Sequence, residues 1–224
     1  MDQPVRMTAQ QIRQALENAI VDGRFVPGEK LDPEALSVEF ACSRTPIREA
    51  LQALEASGLV RIEPKRGTFV NELDVIELTE RFEVMAEIEA MCARLAARRS
   101  TREDLDRIRA AQAACVEAIK TGDGDAYYSQ NTAFHQAIYA ASGNRFLESE
   151  ALRLQTMLQP YRRRQLQLGG RMKRSLDEHQ RIVARIEAAD DGGAGADMHA
   201  HVVIQGDRFH ELIASLRPAR TIRL

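Results

Sequence analysis

The stretch Cys42-Ser43-Arg44-Thr45-Pro46-Ile47-Arg48-Glu49-Ala50-Leu51-Gln52-Ala53-Leu54 decides the first part of the fold. Ile47, Ala50, Leu51 and Leu54 recur at the three-and-four spacing that lines up apolar side chains on one face of a helix. Ser43 can cap its start and Gly58 can end it. Upstream, Pro33 suits the first turn of a short helix reaching about Phe40, with a turn at Pro27-Gly28 before it. Further back, Ile12, Leu16, Ala19 and Ile20 give a helix from about Thr8 to Asp22, stopped by Gly23. Downstream, Leu59-Val60-Arg61-Ile62 and Thr68-Phe69-Val70 are short β-prone pieces joined by Pro64-Lys65-Arg66-Gly67. Three helices and a small β-hairpin in this order predict a winged helix-turn-helix domain over residues 1–72.

Bulk charge does not recommend a nucleic-acid partner. The chain carries a net charge of −2, and residues 1–70 hold nine Lys or Arg against ten Asp or Glu. Any reading of DNA has to rest on where a few cations sit. Arg44, Thr45 and Arg48 lie at the N-terminal end of the second helix of the pair, and Arg44 and Arg48 are one turn apart. Arginine can bridge O6 and N7 of guanine, threonine can meet a base edge or a phosphate, and the helix N-terminus offers N–H groups to phosphate. Lys65, Arg66 and Gly67 form the tip of the hairpin, where glycine lets backbone approach the sugar-phosphate closely. Singly, each of these is an ordinary solvated residue. As an ordered set they mark a DNA-contacting surface.

After Asp74 no strand pattern returns. Amphipathic helices are expected near 74–98, 101–121, 125–141, 144–168, 171–190 and 196–216, punctuated by Ser100-Thr101, Gly122-Asp123-Gly124, Ser142-Gly143-Asn144, Gly169-Gly170 and the patch Asp191-Gly192-Gly193-Ala194-Gly195. Short loops between long helices predict an all-α antiparallel bundle over 73–224. The chain as a whole is therefore expected to be mostly α. Its 224 residues, 44% of them hydrophobic, suffice for two cores. The three cysteines, Cys42, Cys92 and Cys115, form no CxxC pair and are expected as reduced thiols. The first ten residues are polar, and no apolar run approaches the ~20 residues of a membrane span. No membrane partner and a cytoplasmic location are the expectation.

The five histidines all fall in the second domain. Asn131 and His135 lie one helical turn apart, as do Arg171, Ser175 and His179 along a later helix, while His201 lies on the last. Asn131, His135, His179 and His201 would form a donor set of the kind that a divalent ion takes from facing helices. Spacing alone leaves this open. Histidines scattered over helices are more often surface or capped residues, and no tight HxxxH pair is present.

Residues 12–70 resemble the N-terminal domain of GntR-family regulators. The resemblance is carried by Pro27-Gly28-Glu29-Lys30-Leu31, Ser43 to Leu51, Leu54-Glu55, Gly58-Leu59-Val60 and Arg66-Gly67-Thr68-Phe69-Val70. Residues 74–216 resemble the FCD ligand-binding domain of the FadR branch through Phe82-Glu83-Val84, Glu89, Arg94 to Ala97, Phe134-His135, Gly143-Asn144, Glu178 to Ile182, and His201. The resemblance implies a homodimeric regulator, usually a repressor, that binds a near-palindromic double-stranded operator under control of a small carboxylate effector.

It also implies Arg44, Thr45 and Arg48 as recognition contacts and Lys65, Arg66 and Gly67 as wing contacts. Asn131, His135, His179 and His201 would hold a divalent metal, zinc first and nickel or manganese next. Arg171 and one of Arg162, Arg163 and Arg164 remain to pair the carboxylate; Arg163 is the expected one, with Ser175 beside Arg171. His199 and His210 match nothing and receive no role.

Three departures qualify the likeness. Glu34 stands where relatives often carry a basic, phosphate-contacting residue. Asn131 stands for the more usual Asp, and Met85 for an arginine that reaches the pocket. Met85 near Phe82 and Met91 reads as core. Two other functions are weighed: a regulator to which the ion itself is the signal, and a metal-dependent hydrolase. The hydrolase needs a general base, and Glu178 projects about a hundred degrees from its neighbour His179 on the helix.

Overall fold

The computed structural model describes residues 7–166 and 170–207. By its own contacts the chain divides into a first unit, Met1–Asp74 with Thr156–Pro160, and a second, Val75–Gln155 with Tyr161–Leu224.

The first unit opens with α1 (Ala9–Val21), whose N-cap Thr8 forms a reciprocal capping box with Gln11. Then come β1 (Lys30–Leu31), α2 (Pro33–Glu39) and α3 (Arg44–Ala56), and the hairpin β2 (Val60–Glu63) and β3 (Gly67–Val70). Ile47, Ala50, Leu51 and Leu54 of α3 are all buried and pack with Ile12 and Leu16 of α1 and with Val60 and Val70 of the hairpin. Burying each large aliphatic of this stripe contributes about 1.5–3 kcal/mol. The hairpin is larger than expected. β1 pairs antiparallel with β3, Lys30 opposite Phe69, giving a three-stranded sheet in the order β1-β3-β2. Two residues are too few for an alternation pattern to register, so the strand was not legible.

The second unit contains, among the described residues, α4 (Val75–Arg99), α5 (Arg102–Thr121), α6 (Gly124–Ala141), α7 (Arg145–Leu166), α8 (Arg171–Glu187) and α9 (Asp191–Asp207). Caps set most boundaries. Thr101 and Asp104 form a capping box at α5, Asp123 accepts the N–H groups of Asp125 and Ala126 at α6, and Gly122 closes α5 in the left-handed region. Asn144 Oδ1 accepts from the Leu147 amide at the head of α7. Cys92 and Cys115 are buried free thiols.

One expectation is corrected here. The glycine patch after Asp190 is not a loop, and α9 begins at Asp191. The Asp190 carboxylate accepts from the Gly193 amide at 2.9 Å, which caps the helix ahead of the glycines. Arg98 of α4 is ion-paired with Asp191. A Cβ at Gly195 would fall 2.5 Å from Arg94 Cγ on α4, so the small residue admits close approach of the two helices. Tertiary packing thus overrides weak helix propensity. The expected continuation of this helix to 216, and His210 with it, lies outside the described residues.

Two substitutions separate these effects. A Cβ at Gly192 would meet only Asp190 Oδ1, at 3.9 Å. Gly192→Ala should raise stability by about 0.5–1 kcal/mol through lower backbone entropy, whereas Gly195→Ala should lower it. Thermal unfolding of both variants checks the contrast, and equal shifts would contradict the packing.

Candidate functional site

In the first unit Arg44, Thr45 and Arg48 are all exposed at the start of α3, while Ile47 points into the core. Ser43 caps α3 without a side-chain hydrogen bond. The helix can therefore present its first amides to an anion. At the wing, Lys65 takes a left-handed φ of 65° and Gly67 a φ of 118°. A Cβ on Gly67 would also lie 2.8 Å from Lys30 Cε. Glycine is thus required twice over, and Lys30 joins the base of the wing, a cation the sequence did not single out. Arg61 and Arg66 both lie over the Phe69 ring, at 5.3 and 5.8 Å from its centroid. Glu34 has a local partner: its carboxylate pairs with Arg44 Nη2 at 2.8 Å.

In the second unit the polar side chains of interest occupy core positions. The buried stripe of α6 runs Tyr127, Asn131, Phe134, His135 and Ile138; that of α8 runs Arg171, Ser175, Glu178, His179, Ile182 and Ile186. His201 is buried on α9 and Glu89 on α4. The ligating atoms of His135, His179 and His201 all lie within 4.8 Å of one another. Phe134 stacks on His179 at 4.0 Å between centroids and fixes that ring.

Two carboxylates orient two of the imidazoles. Glu89 Oε2 accepts from His135 Nδ1 at 2.5 Å, and its Oε1 accepts from Arg162 Nη1 at 2.5 Å. Glu178 Oε2 accepts from His201 Nδ1 at 2.6 Å and from Arg171 Nη1 at 2.8 Å. The Nε2 atoms of His135 and His201 are thereby turned toward each other, 3.3 Å apart. Ser175 Oγ donates to Asn131 Oδ1 at 3.3 Å and lies 3.4 Å from His179 Nε2. His179 Nδ1, Arg162 Nη2, Arg171 Nε and the Tyr127 hydroxyl are buried without a hydrogen-bond partner.

Burial first, then the neighbouring His201 and His135, holds His179 well below its ordinary value; burial likewise lowers His135, and it lowers His201 to about 4. Glu89 is held below the usual carboxylate range because Arg162 and His135 outweigh its desolvation. Glu178 is lowered in the same way by His201 and Arg171. At neutral pH the cluster is three neutral imidazoles between two ionised carboxylates.

Of the expected site residues, Asn131, His135, His179, His201, Arg171 and Ser175 converge. Arg163 does not: it pairs with Asp125, while Arg162, one residue earlier, is buried on Glu89. The α7 core stripe through Leu154, Leu158 and Tyr161 continues to Arg162, which is the physical reason for the correction. The Arg164 side chain lies outside the described residues. Met85 is fully buried, as read, whereas Met91 is exposed. Glu89 and Glu178 were not given a role as imidazole partners. A carboxylate on an apolar stripe was the available signal for both. With its carboxylate committed to His201 and Arg171, Glu178 is not available as a hydrolytic base.

An exposed recognition helix and basic wing, followed by a helical unit with a buried polar site, define a winged-helix DNA-binding regulator. Residues 8–70 match the family described as bacterial regulatory proteins, gntR family, and residues 80–203 match the FCD domain. The chain is 32% identical over 206 residues to the HTH-type transcriptional regulator LutR of Bacillus subtilis, covering 82% of this chain and 92% of LutR. It is 31% identical over 198 residues to the HTH-type transcriptional repressor GlaR of Escherichia coli, covering 84% and 89%. The solved structure of E. coli McbR/YncC shares the fold with a TM-score of 0.77 at 22% identity, covering 93% of this chain and 98% of that one. The chain belongs to the GntR family, with an FCD domain behind its DNA-binding domain, and is a transcriptional regulator and not an enzyme. Among the described residues no helix is long and apolar enough to cross a membrane.

Two outcomes follow. Because the folded-state values of the three histidines lie below their ordinary value of 6.5, the stability that depends on their neutral form is complete above about pH 6.5 and is lost as pH falls toward about 4, whereas that of Glu89 is lost only below its ordinary carboxylate range. Melting temperature should fall across that interval, and a flat profile would contradict neutral, buried imidazoles. At the reader, Glu34→Ala releases Arg44 and removes a charge that repels phosphate. An exposed pair is worth ~0–1 kcal/mol, so affinity for DNA of unrelated sequence should rise by up to about fivefold in a gel-shift titration.

Proposed function

We propose that this regulator acts as a homodimeric, cytoplasmic repressor whose affinity for a near-palindromic operator is set by a small organic acid bound beside a divalent metal. The metal would be zinc, with nickel or manganese as the next candidates. The observation that carries the metal reading is the pair of facing Nε2 atoms. Ionised Glu89 and Glu178 require the protons of His135 and His201 on Nδ1, which leaves both Nε2 atoms bare at 3.3 Å in a water-poor core. Two facing acceptor lone pairs repel unless a cation lies on both. Asn131, His135, His179 and His201 would hold the ion, and the carboxylates behind two of the imidazoles serve as orienting partners. A bound ion supplies a fixed positive charge for a carboxylate oxygen. Arg162 and Arg171 supply the remaining unpartnered donors, which fit an acceptor-rich ligand.

The repressor reading draws on GlaR, and the dimer on the two-fold symmetry that lets two recognition helices meet two half-sites. Arg44, Thr45 and Arg48 read bases, and Lys65, Arg66 and Gly67 anchor the wing. The test is a gel-shift titration on the intergenic DNA beside this gene. Arg48→Ala should weaken specific binding by roughly 5- to 150-fold, the worth of one bidentate base contact, with the melting temperature unchanged. Unaltered operator affinity would sink this assignment of α3.

A further inference from the structure

The cations of the first unit fall into two classes. Arg13, Arg24 and Arg44 are ion-paired with Glu17, Glu39 and Glu34, and Arg61 and Arg66 share Glu63. Among the described residues, Lys30, Arg48 and Lys65 are the cations of this unit left without an ion pair, and all three are exposed. Arg48 stands on α3 and Lys65 at the tip of the wing, both on the surface read as contacting DNA. Lys30 stands on β1.

Its place in the sheet determines what it can meet. Lys30 lies opposite Phe69 on β3, and Phe69 lies opposite Arg61 on β2, so the three share one face of the sheet. The adjacent pair, Leu31 and Thr68, is buried, which puts Lys30, Phe69 and Arg61 on the outer face. Gly67 follows two residues away from Phe69 along β3, and the Lys30 stem leans over it. A Cβ on Gly67 would lie 2.8 Å from Lys30 Cε and 3.5 Å from Nζ. The ammonium therefore sits over backbone that no side chain shields. The carboxylates nearest to Lys30 in sequence are engaged locally: Glu29 accepts from the Val26 amide, and Asp32 accepts from the Glu34 amide as the cap of α2.

A lysine ammonium is a compact point charge without the planar fork that matches a base edge, and it suits a phosphate oxygen. Over a glycine it faces a place where a sugar-phosphate chain can come close to the protein backbone. We infer that Lys30 is a phosphate contact of the operator duplex, made from β1 beside Gly67, which adds affinity without reading sequence. This rests on the DNA reading of α3 and the wing given above. The unpaired cations then divide the work: Arg48 reads bases, while Lys65 and Lys30 hold the DNA backbone at the tip and the base of the wing. A lysine on an edge strand can also serve to discourage pairing with another sheet, a duty that would leave DNA binding untouched.

The experiment measures binding of the full chain by fluorescence anisotropy to two labelled duplexes, one from the intergenic DNA beside this gene and one of unrelated sequence, over a range of salt concentrations. Wild type, Lys30→Gln, Lys30→Arg and Arg48→Ala are compared. Lys30→Gln should weaken binding to both duplexes by a similar factor, roughly threefold to tenfold at about 0.1 M salt, and should make the slope of log affinity against log salt shallower by about 0.9 for each subunit bound. Lys30→Arg should restore both affinity and slope. Arg48→Ala should lose mainly the preference for the intergenic duplex. Circular dichroism checks each fold. Should Lys30→Gln not fold, Lys30→Met keeps an unbranched stem without the charge and serves the same comparison.

Unchanged affinity and slope in Lys30→Gln overturn the inference and leave Lys30 a solvated edge-strand residue; the DNA reading stands so long as Arg48→Ala still loses its preference. A loss confined to the intergenic duplex also overturns it, since Lys30 would then read a base. So does a loss that Lys30→Arg fails to restore, because the fit of the stem over Gly67, and not the charge, would be responsible. Absence of wild-type binding to either duplex at the lowest salt removes the DNA reading and the inference with it.

Discussion

Glu89 sits fully buried between His135 and Arg162, with both of its oxygens engaged at 2.5 Å. A lone carboxylate in that position would face a large desolvation cost, and only the guanidinium and the imidazole keep it ionised. Removing one partner of such a pair costs about 3–5 kcal/mol, because the other charge stays buried. The rest of the helical unit is arranged around this constraint. α4 supplies the carboxylate, α6 the imidazole and α7 the arginine, so three helices are registered by one group. Glu178 repeats the device for His201, drawing on Arg171 within its own helix α8 and reaching α9.

These pairs make the unit's polar core specific. Aliphatic residues along α6 and α8 would pack in several registers at similar cost, whereas a carboxylate with two named partners fits one register only. The tautomers of His135 and His201 follow from the same contacts, and so does the approach of their Nε2 atoms. The site is thus a consequence of how charge is buried. It is not a set of ligands placed on an indifferent scaffold.

The two units solve different electrostatic problems. The DNA-reading unit keeps its cations exposed and thinly distributed, and even sets Glu34 against Arg44. Selectivity then leans on base contacts, since strong attraction to phosphate would be indifferent to sequence. The helical unit buries its charges and balances them, Glu89 against Arg162 and Glu178 against Arg171.

The periodicity of Ile47, Ala50, Leu51 and Leu54, the caps at Thr8, Thr101 and Asp123, and the stops at Gly58 and Gly122 determined the helices, because these are interactions within a few residues of chain. Exposure of Arg44, Thr45 and Arg48 followed from that same stripe. His135, His179 and His201 were legible as candidates, since each lies on the face its helix buries. Which residues stand opposite them was not. A helical stripe tells which side of its own helix a residue takes, but not which residue of another helix it will meet. Glu89 against His135, Glu178 against His201, Arg162 inward where Arg163 was expected, and the glycines of α9 against Arg94 were all decided across helices. There the cost of burying a charge or an extra methyl group selects one packing out of many that the local pattern would allow.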